Sequence, residues 1–152
     1  MREISDPRLC ALEEVADRVN VAFKCTYNDG GQGPYVGFCG TCSDSIIAWN
    51  VEQGRVWCSQ KECWCREYYD DGFTGGRPED PCYESVLFSE WRFAIGIYHT
   101  GPRAGDPMTI RHAGIGDIAI FTTRFPGDSE LDRKIVRLFR IGDIYDDYVT
   151  YV

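Results

Sequence analysis

The sequence is poor in histidine, and its basic residues are outnumbered by acidic ones. Only His99 and His112 occur among 152 residues. No Ser-His-Asp order and no phosphate-binding glycine loop stands out, so no catalytic constellation is evident, although an enzyme stays one hypothesis. The formal net charge of −8 argues against a general polyanion binder, which needs clustered lysine and arginine.

The sequence also has no long apolar run. A membrane-spanning helix needs about 20 consecutive apolar residues, and no stretch approaches that length. The first residues, Met1 to Pro7, lack the apolar core of a secretion signal. We therefore expect no membrane association and a cytoplasmic location. Because that compartment is reducing, the cysteines of this chain are expected to favour metal ligation over disulfides.

Cysteine, in contrast, is abundant. Five of the eight cysteines lie between residues 39 and 65. A C-x2-C pair followed by about 15 residues and a second pair is typical of a zinc ribbon, in which four thiolates surround the ion at about 2.3 Å. The sequence therefore predicts zinc (Zn) as cofactor. The predicted ligands are Cys39, Cys42, Cys58 and Cys63, with Cys65 as an alternative fourth ligand.

The segment between these cysteines predicts a β-hairpin. Residues 45–49 form its first strand, Asn50 to Gly54 its turn, and residues 55–57 lead out of it, which brings Cys42 and Cys58 together. Cys25 and Cys82 are possible substitutes as ligands. Buried free cysteines, disulfides, a redox-active C-x-x-C pair at Cys39 and an iron–sulfur cluster are the alternatives.

The remaining pattern predicts an α+β fold with an N-terminal helix and a C-terminal set of strands. Asp6 and Pro7 suit a helix start, and apolar residues follow at helical spacing up to Val19. Residues 67–81 are polar and glycine-rich, as in a connector. We expect the helix and the ribbon in residues 1–82 and a small β-barrel in residues 83–152. Its predicted strands are Val86–Phe88, Trp91–Tyr98, Ile118–Thr123 and Lys134–Ile141, of which the last also fits a helix by periodicity.

Three segments of the second half carry a resemblance. They are Trp91-Arg92-Phe93, the Gly-Asp turn and strand of Ile115–Thr123, and the strand Arg133–Ile141. Together they resemble the PUA-like superfamily, closest to its EVE, ASCH and YTH branches. The resemblance implies a small β-barrel that holds a nucleic-acid base, often a modified one, in an aromatic pocket. The family fold continues with a further helix or strand, so a domain truncated at its C-terminus is one interpretation.

The resemblance also implies site residues. Flipping a base out of a stack costs a few kcal/mol, which stacking on aromatic side chains and hydrogen bonds to the base offset. The residues expected to bind the base are Trp91, Tyr98, His99, Phe121, Thr122, Thr123 and Arg124. The nucleic-acid backbone is expected to contact Arg133, Lys134, Arg137 and Arg140. These four are also consistent with a solvated face near Glu130 and Asp132.

The leading hypothesis is a nucleic-acid-binding module that reads a modified base in DNA or RNA. It includes a role as the sensor part of a modification-dependent restriction system, with cleavage carried by a partner or a further domain. The alternative is a zinc-stabilised protein-interaction domain that binds no nucleic acid. An acidic first half with exposed aromatic residues is the feature that favours this alternative.

Overall fold

The computed structural model describes most of the chain after residue 18. The described residues are 19–33, 37–55, 57–90, 92–94, 96–98, 100–106, 108–110, 112–144 and 148–151, with only the backbone for Ala94 and 148–151. The predicted N-terminal helix lies outside these ranges. The elements are β1 (Asn20–Lys24), α1 (Asp44–Glu52), α2 (Trp64–Asp70), α3 (Tyr83–Glu90), β2 (Arg92–Ala94), β3 (Ile118–Thr123), β4 (Lys134–Ile144) and β5 (Tyr148–Tyr151). A 3-10 turn, Glu130–Asp132, precedes β4.

The strands form one five-stranded sheet in the order β1-β3-β4-β5-β2. Strand β1 runs parallel to β3, with Phe23 opposite Phe121, and the remaining pairs are antiparallel. Within the described residues, β1 and β2 are the two edges of the sheet, and no pairing between them closes it into a barrel. The α+β class is therefore confirmed, and the sheet is open in this part of the chain.

Aromatic side chains fill the core against this sheet. The rings of Phe23, Phe93 and Phe139 each lie within 5.3 Å of the Phe121 ring, centroid to centroid. Two of these contacts are edge-to-face, a geometry that adds about 0.5–1.5 kcal/mol per pair beyond the buried area. Leu87 of α3 and Ile141 of β4 complete the same cluster. A separate cluster of Cys42, Ile47, Val51, Cys63, Cys65 and Tyr68 lies between α1 and α2.

The predicted hairpin between the cysteines is wrong, because its first strand is helix α1. Ile47, Asn50 and Val51 lie on one buried helical face. Gly54, which suggested a hairpin turn, instead ends the helix with a φ of 63°. Its amide donates to the Val51 carbonyl at 3.0 Å, and the Arg55 amide donates to the Asn50 carbonyl at 2.9 Å. This pair of bonds is the Schellman motif, which favours glycine at that position.

Other predicted elements have mixed outcomes. Strands Ile118–Thr123 and Lys134–Ile141 are confirmed as β3 and β4, and β4 continues to Ile144. The predicted strand Val86–Phe88 is wrong, because helix α3 buries Val86 and Leu87 on one side. The polar connector begins later than predicted, since residues 67–70 belong to α2. Of the predicted strand Trp91–Tyr98, the described part contains β2 and a single bridge at Ile97.

The sheet draws on both predicted segments of the chain. Strand β1 comes from residues 1–82, whereas its partner β3 comes from residues 83–152. Phe23 and Cys25 accordingly belong to the same core cluster as Phe121 and Phe139. The boundary at residue 82 stays a prediction. Among the described helices, none combines the length and the apolar composition that crossing a bilayer requires.

Candidate functional site: a basic cleft beside a cysteine cluster

The residues predicted to bind a base do not meet in one pocket. Phe121 is fully buried in the aromatic core, so its ring supports the sheet and offers no surface to a ligand. The Thr122 and Thr123 hydroxyls donate to the carbonyl oxygens of Phe23 and Cys25, at 3.0 and 3.1 Å. They therefore tie β3 to β1. Tyr98 is half-buried, and the Arg103 guanidinium covers its ring at 4.2 Å. Trp91 and His99 lie outside the described residues.

The four basic residues predicted to contact the backbone do not form one strip either. Arg137 and Arg140 lie on β4 at positions of opposite parity, so their side chains leave opposite faces of the sheet. The Arg137 guanidinium packs over the rings of Phe88 and Phe139, at 5.5 and 5.7 Å. Lys134 pairs with Asp128 at 3.5 Å. Arg133 is directed elsewhere, into a cleft at the edge of the sheet.

This cleft collects basic side chains from distant parts of the sequence. We define the basic cleft by its four cations, Lys24, Arg55, Arg124 and Arg133. Its volume is about 190 Å³. Residues 25–27, which continue β1, form one wall, and the end of α1 with Trp49, Asn50 and Gly54 forms another. Arg124 and Arg133 come from the connection between β3 and β4, and Arg55 follows the end of α1. The cleft therefore lies where the sheet meets the α1 unit.

Backbone hydrogen bonds hold these walls together. The Cys25 amide donates to the Thr122 carbonyl at 2.8 Å, so the chain after β1 stays alongside β3. The buried Asn50 amide nitrogen Nδ2 donates to the Tyr27 carbonyl at 3.1 Å and joins α1 to that segment. The Schellman motif at Gly54 fixes the direction in which the chain delivers Arg55. The basic cleft is thus built on regular elements, whose positions the sheet and helix define.

A single carboxylate serves three of the four cations. Glu130 forms ion pairs with Lys24 at 2.7 Å, Arg133 at 3.0 Å and Arg124 at 3.3 Å. Ser129 presents Glu130 by capping the 3-10 turn: its hydroxyl accepts from the Leu131 amide at 3.3 Å. Hydrogen bonds from Arg133 and Lys24 lower the pKa of Glu130 to about 2. The cleft therefore has an excess of positive charge on a protein that is acidic overall.

Arg55 is the one of these four cations that forms no ion pair with a carboxylate in the described part of the chain. It makes no ion pair or side-chain hydrogen bond within the described part of the chain. Its burial, followed by the charges of Arg124 and Arg133, lowers the pKa of Arg55 from its ordinary value. The side chains of Arg124 and Arg133 are only 23% and 17% exposed. Packing partly dehydrated cations together is unfavourable unless an anion joins them.

Removing the shared carboxylate is expected to change stability and anion binding in opposite directions. The lowered pKa means that ionised Glu130 stabilises the fold above its unfolded value of about 4.5, and that this contribution is lost as pH falls towards 2. In Glu130→Gln, we expect a flatter dependence of unfolding free energy on pH between 5 and 2. Urea titrations across this range measure it, and parallel wild-type and variant curves would contradict it.

At neutral pH the same variant leaves Lys24, Arg124 and Arg133 without their carboxylate. We expect Glu130→Gln to bind inorganic phosphate or an oligonucleotide a few-fold more tightly than the wild type, because the competing anion is gone. Glu67→Gln is a suitable control, since Glu67 is exposed on α2 and does not line the cleft. Weaker binding by Glu130→Gln would show that the carboxylate is needed to position the arginines.

The cysteine cluster packs against Ile47 and Val51 of α1, next to Asn50 of the cleft wall. Cys42, Cys63 and Cys65 are buried together, and Cys58 packs against them. Burial is the main cause that raises the pKa of Cys58 and Cys82, and the hydrogen bond to Cys63 is the main cause for Cys65; the charge on Cys42 contributes to all three, so these thiols lie near it. Cys39, in contrast, is exposed and is not a member of this cluster. Of the predicted ligands, Cys42, Cys58, Cys63 and the alternative Cys65 lie together, with the possible substitute Cys82 nearby.

Burial dominates the protonation of most of these thiols. It raises the pKa of Cys42 to about 12, and it raises the pKa of Cys58 and Cys82 as well. A redox-active thiol needs the opposite shift, which Cys42 does not have. A hydrogen bond between Cys63 and Cys65 lowers the pKa of Cys63 and raises that of Cys65. These two thiols therefore lie next to each other in the cluster.

The clustered thiols can be compared with the ligands that a zinc ion requires. Within the described ranges, no three histidine, cysteine, aspartate or glutamate side chains are grouped as metal ligands. Each of the seven described cysteines is a free thiol. The chemistry of the cluster nevertheless suits zinc, because borderline-soft Zn²⁺ is bound by thiolates and displaces their protons. The residues that fit this role are Cys42, Cys58 and Cys63, with Cys65 or Cys82 as the fourth.

Sequence reasoning named two of the four cleft residues and missed Lys24 and Arg55. Arg124 and Arg133 were expected to bind nucleic acid, but in separate roles. Lys24 lies about 100 residues earlier in the chain and reaches Glu130 only through the pairing of β1 with β3. One local signal could have indicated Arg55, namely Gly54 as a helix-ending residue. No family model, curated protein or solved structure matches the chain.

Proposed function

We propose that the chain is a nucleic-acid-binding module whose basic cleft holds the phosphate of a DNA or RNA strand. One observation carries the proposal: four cations share a concave site with a single carboxylate, although the protein has a net charge of −8. Clustered positive charge on an acidic protein directs an anion to one place. Guanidinium groups suit phosphate because their planar fork pairs with two oxygens at once.

Aromatic surfaces beside the cleft support a nucleic-acid ligand over a simple anion. Trp49 is half-buried and lines the cleft, and it is the ring that a base can reach, since Tyr27 on the opposite segment is buried against Phe125. Stacking of a base on an aromatic ring contributes about 1–3 kcal/mol and tolerates any sequence. A phosphate in the cleft would leave its neighbouring base within the region of Trp49. The combination of cations and an aromatic rim is typical of single-strand binding sites.

The cysteine cluster has a supporting role in this proposal. Zinc at Cys42, Cys58 and Cys63, with Cys65 or Cys82, would fix the loop between α1 and α2. Arg55 lies at the start of that loop, three residues before Cys58, so a metal there orders one wall of the cleft. When bound, zinc supplies tetrahedral cross-linking and no redox chemistry. The PUA-like resemblance and the reading of a modified base stay hypotheses that rest on the sequence pattern.

Fluorescence polarisation with short DNA and RNA strands and duplexes tests the proposal. If about three phosphate charges are neutralised, raising salt from about 50 to about 200 mM should weaken binding roughly 20- to 40-fold. Strands that carry modified bases form a second arm, and preferential binding to one of them would support base reading. Absence of binding to every nucleic acid at low salt would contradict the proposal.

A second candidate function has its own structural observation. Trp64 is 58% exposed beside the carboxylates of Glu67 and Asp71, and these residues line a cleft of about 290 Å³ with Tyr68. An exposed tryptophan flanked by carboxylates suits a basic side chain of a protein partner. This is the protein-interaction alternative. Protein interaction becomes the better-supported function if the polarisation experiment detects no binding to any nucleic acid.

A further inference from the structure

We propose that the basic cleft takes the terminal phosphate of a nucleic-acid strand, a phosphomonoester, in preference to a phosphodiester within the strand. This inference rests on the proposed function and names the part of the ligand that the cleft selects. It follows from the shape of the cleft, its balance of charge and the kind of donors that face it. Each of these features separates an end of a strand from its interior.

The shape of the cleft limits what can enter. Its volume of about 190 Å³ is below the range of about 300–1,000 Å³ that is usual for pockets holding drug-sized ligands. A strand that passes through a site enters and leaves it, which suits an open groove. Here the walls come from three sides: the segment after β1, the end of α1 and the β3–β4 connection. The cleft is a small, half-open recess, which suits the end of a chain.

The balance of charge favours a dianion. Four cations line the cleft and Glu130 is their ion-pairing carboxylate in the described residues, which leaves a formal excess of three positive charges. A phosphomonoester carries a charge of about −1.5 to −2 at pH 7, because its second pKa is about 6. A phosphodiester carries a single negative charge. The monoester therefore offsets more of the repulsion among Arg55, Arg124 and Arg133.

The donors match a group with three free oxygens. Three of the four cations are arginines, and a guanidinium can pair with two oxygens of an oxyanion. A terminal phosphate presents three oxygens that carry no substituent, whereas an internal phosphodiester presents two. Arg133 already donates from its three nitrogens to Glu130 and to the Thr122 carbonyl, and Arg124 pairs with Glu130. The Arg55 side chain makes no ion pair or hydrogen bond within the described residues and is therefore the donor with most capacity to spare. We therefore assign to Arg55 the contact that distinguishes the monoester.

Polarisation measurements with matched oligonucleotides test the inference. The probes are one single-stranded sequence in three forms, with a 5′-phosphate, with a 3′-phosphate and with hydroxyls at both ends. At about 150 mM salt we expect one phosphorylated form to bind about 10- to 100-fold more tightly than the hydroxyl form. In Arg55→Gln this ratio should fall towards one, while binding of the hydroxyl form changes little.

The outcomes separate the two proposals. Equal affinity for all three probes would overturn the inference and leave nucleic-acid binding in place. An equal loss of affinity for all probes in Arg55→Gln would also overturn it, since Arg55 would then contact any phosphate. Failure of the wild type to bind every probe at low salt would overturn both proposals. Arg140→Gln is the matched control, because it removes an exposed charge that does not line the cleft.

Discussion

Replacing Cys63 by serine is expected to remove zinc from the protein and to lower its melting temperature by more than about 10 °C. Structural zinc contributes on the order of 10 kcal/mol of apparent binding free energy in small domains, and that energy supports folding. For a chain of this size, 1 kcal/mol corresponds to about 2–4 °C. Cys63 is fully buried within the cluster and is hydrogen-bonded to Cys65, so its replacement removes a thiol from the middle of the donor set.

Two comparisons make this result specific to the metal. Cys39→Ser should keep its zinc and melt close to the wild type, because Cys39 is exposed and lies outside the cluster. Treating the wild type with a chelator should reproduce most of the loss seen in Cys63→Ser. Zinc content is measured by atomic absorption and melting by circular dichroism. A purified wild type without zinc, whose melting is insensitive to the chelator, would sink the metal proposal.

Reversing the charge of Arg55 is expected to weaken binding of a terminally phosphorylated strand about 100-fold. A hydrogen bond between charged groups contributes about 1.5–3 kcal/mol, and a new carboxylate adds repulsion, so a loss near 2.7 kcal/mol is reasonable. The Arg55 side chain has no ion pair or hydrogen bond to lose within the described residues, and its backbone hydrogen bonds are kept in the variant. Arg55→Glu should therefore fold normally, and its melting temperature should equal or exceed that of the wild type.

Arg140→Glu is the matched control for this variant. It makes the same change of charge on the exposed part of β4, away from the cleft. We expect it to weaken binding only a few-fold, through the overall field of the protein. The salt dependence should also fall in Arg55→Glu, because fewer counterions are released. An equal loss of affinity in both variants would mean that binding depends on the net charge of the protein and that the cleft is not the binding site.

The sheet was predictable where local pattern determines it. In β3 every second residue, from Ala119 to Thr123, is buried, so alternation alone locates the strand. Strand β4 has β-branched and aromatic residues with Phe139 and Ile141 turned inward. The α+β class follows from these segments. The parallel pairing of β1 with β3 does not, because it joins residues far apart in the chain and no local signal specifies it.

The region of the cysteines was harder to predict, because a glycine occurs both at the end of a helix and in the turn of a hairpin. Gly54 ends a helix here, yet a glycine after a polar run also fits a hairpin turn. Ile46 and Ile47 favour a strand by propensity, and burial of Ile47 with Val51 on one face favours a helix. The tertiary contact prevails. Thiol spacing therefore indicated neither the element between these cysteines nor the exposure of Cys39.

The cleft shows the same limit for function. Sequence places Arg124 and Arg133 in a basic region, but the convergence of Lys24, Arg55 and Glu130 on them depends on the fold. Cations counted along the sequence gave a strip on β4, whereas strand alternation separates Arg137 from Arg140. Site prediction from sequence alone thus fails where residues assemble across a sheet edge.

The most direct test of phosphate binding in the basic cleft is an NMR titration that follows arginine side chains. Resonances of the Nε–H groups are recorded while a short 5′- or 3′-phosphorylated oligonucleotide is added to the full chain. The account predicts that the Nε–H signals of Arg55, Arg124 and Arg133 shift first and furthest, while those of Arg66 and Arg140 stay nearly unchanged. Shifts confined to Arg140 and the exposed part of β4, with the cleft arginines unmoved, would contradict it.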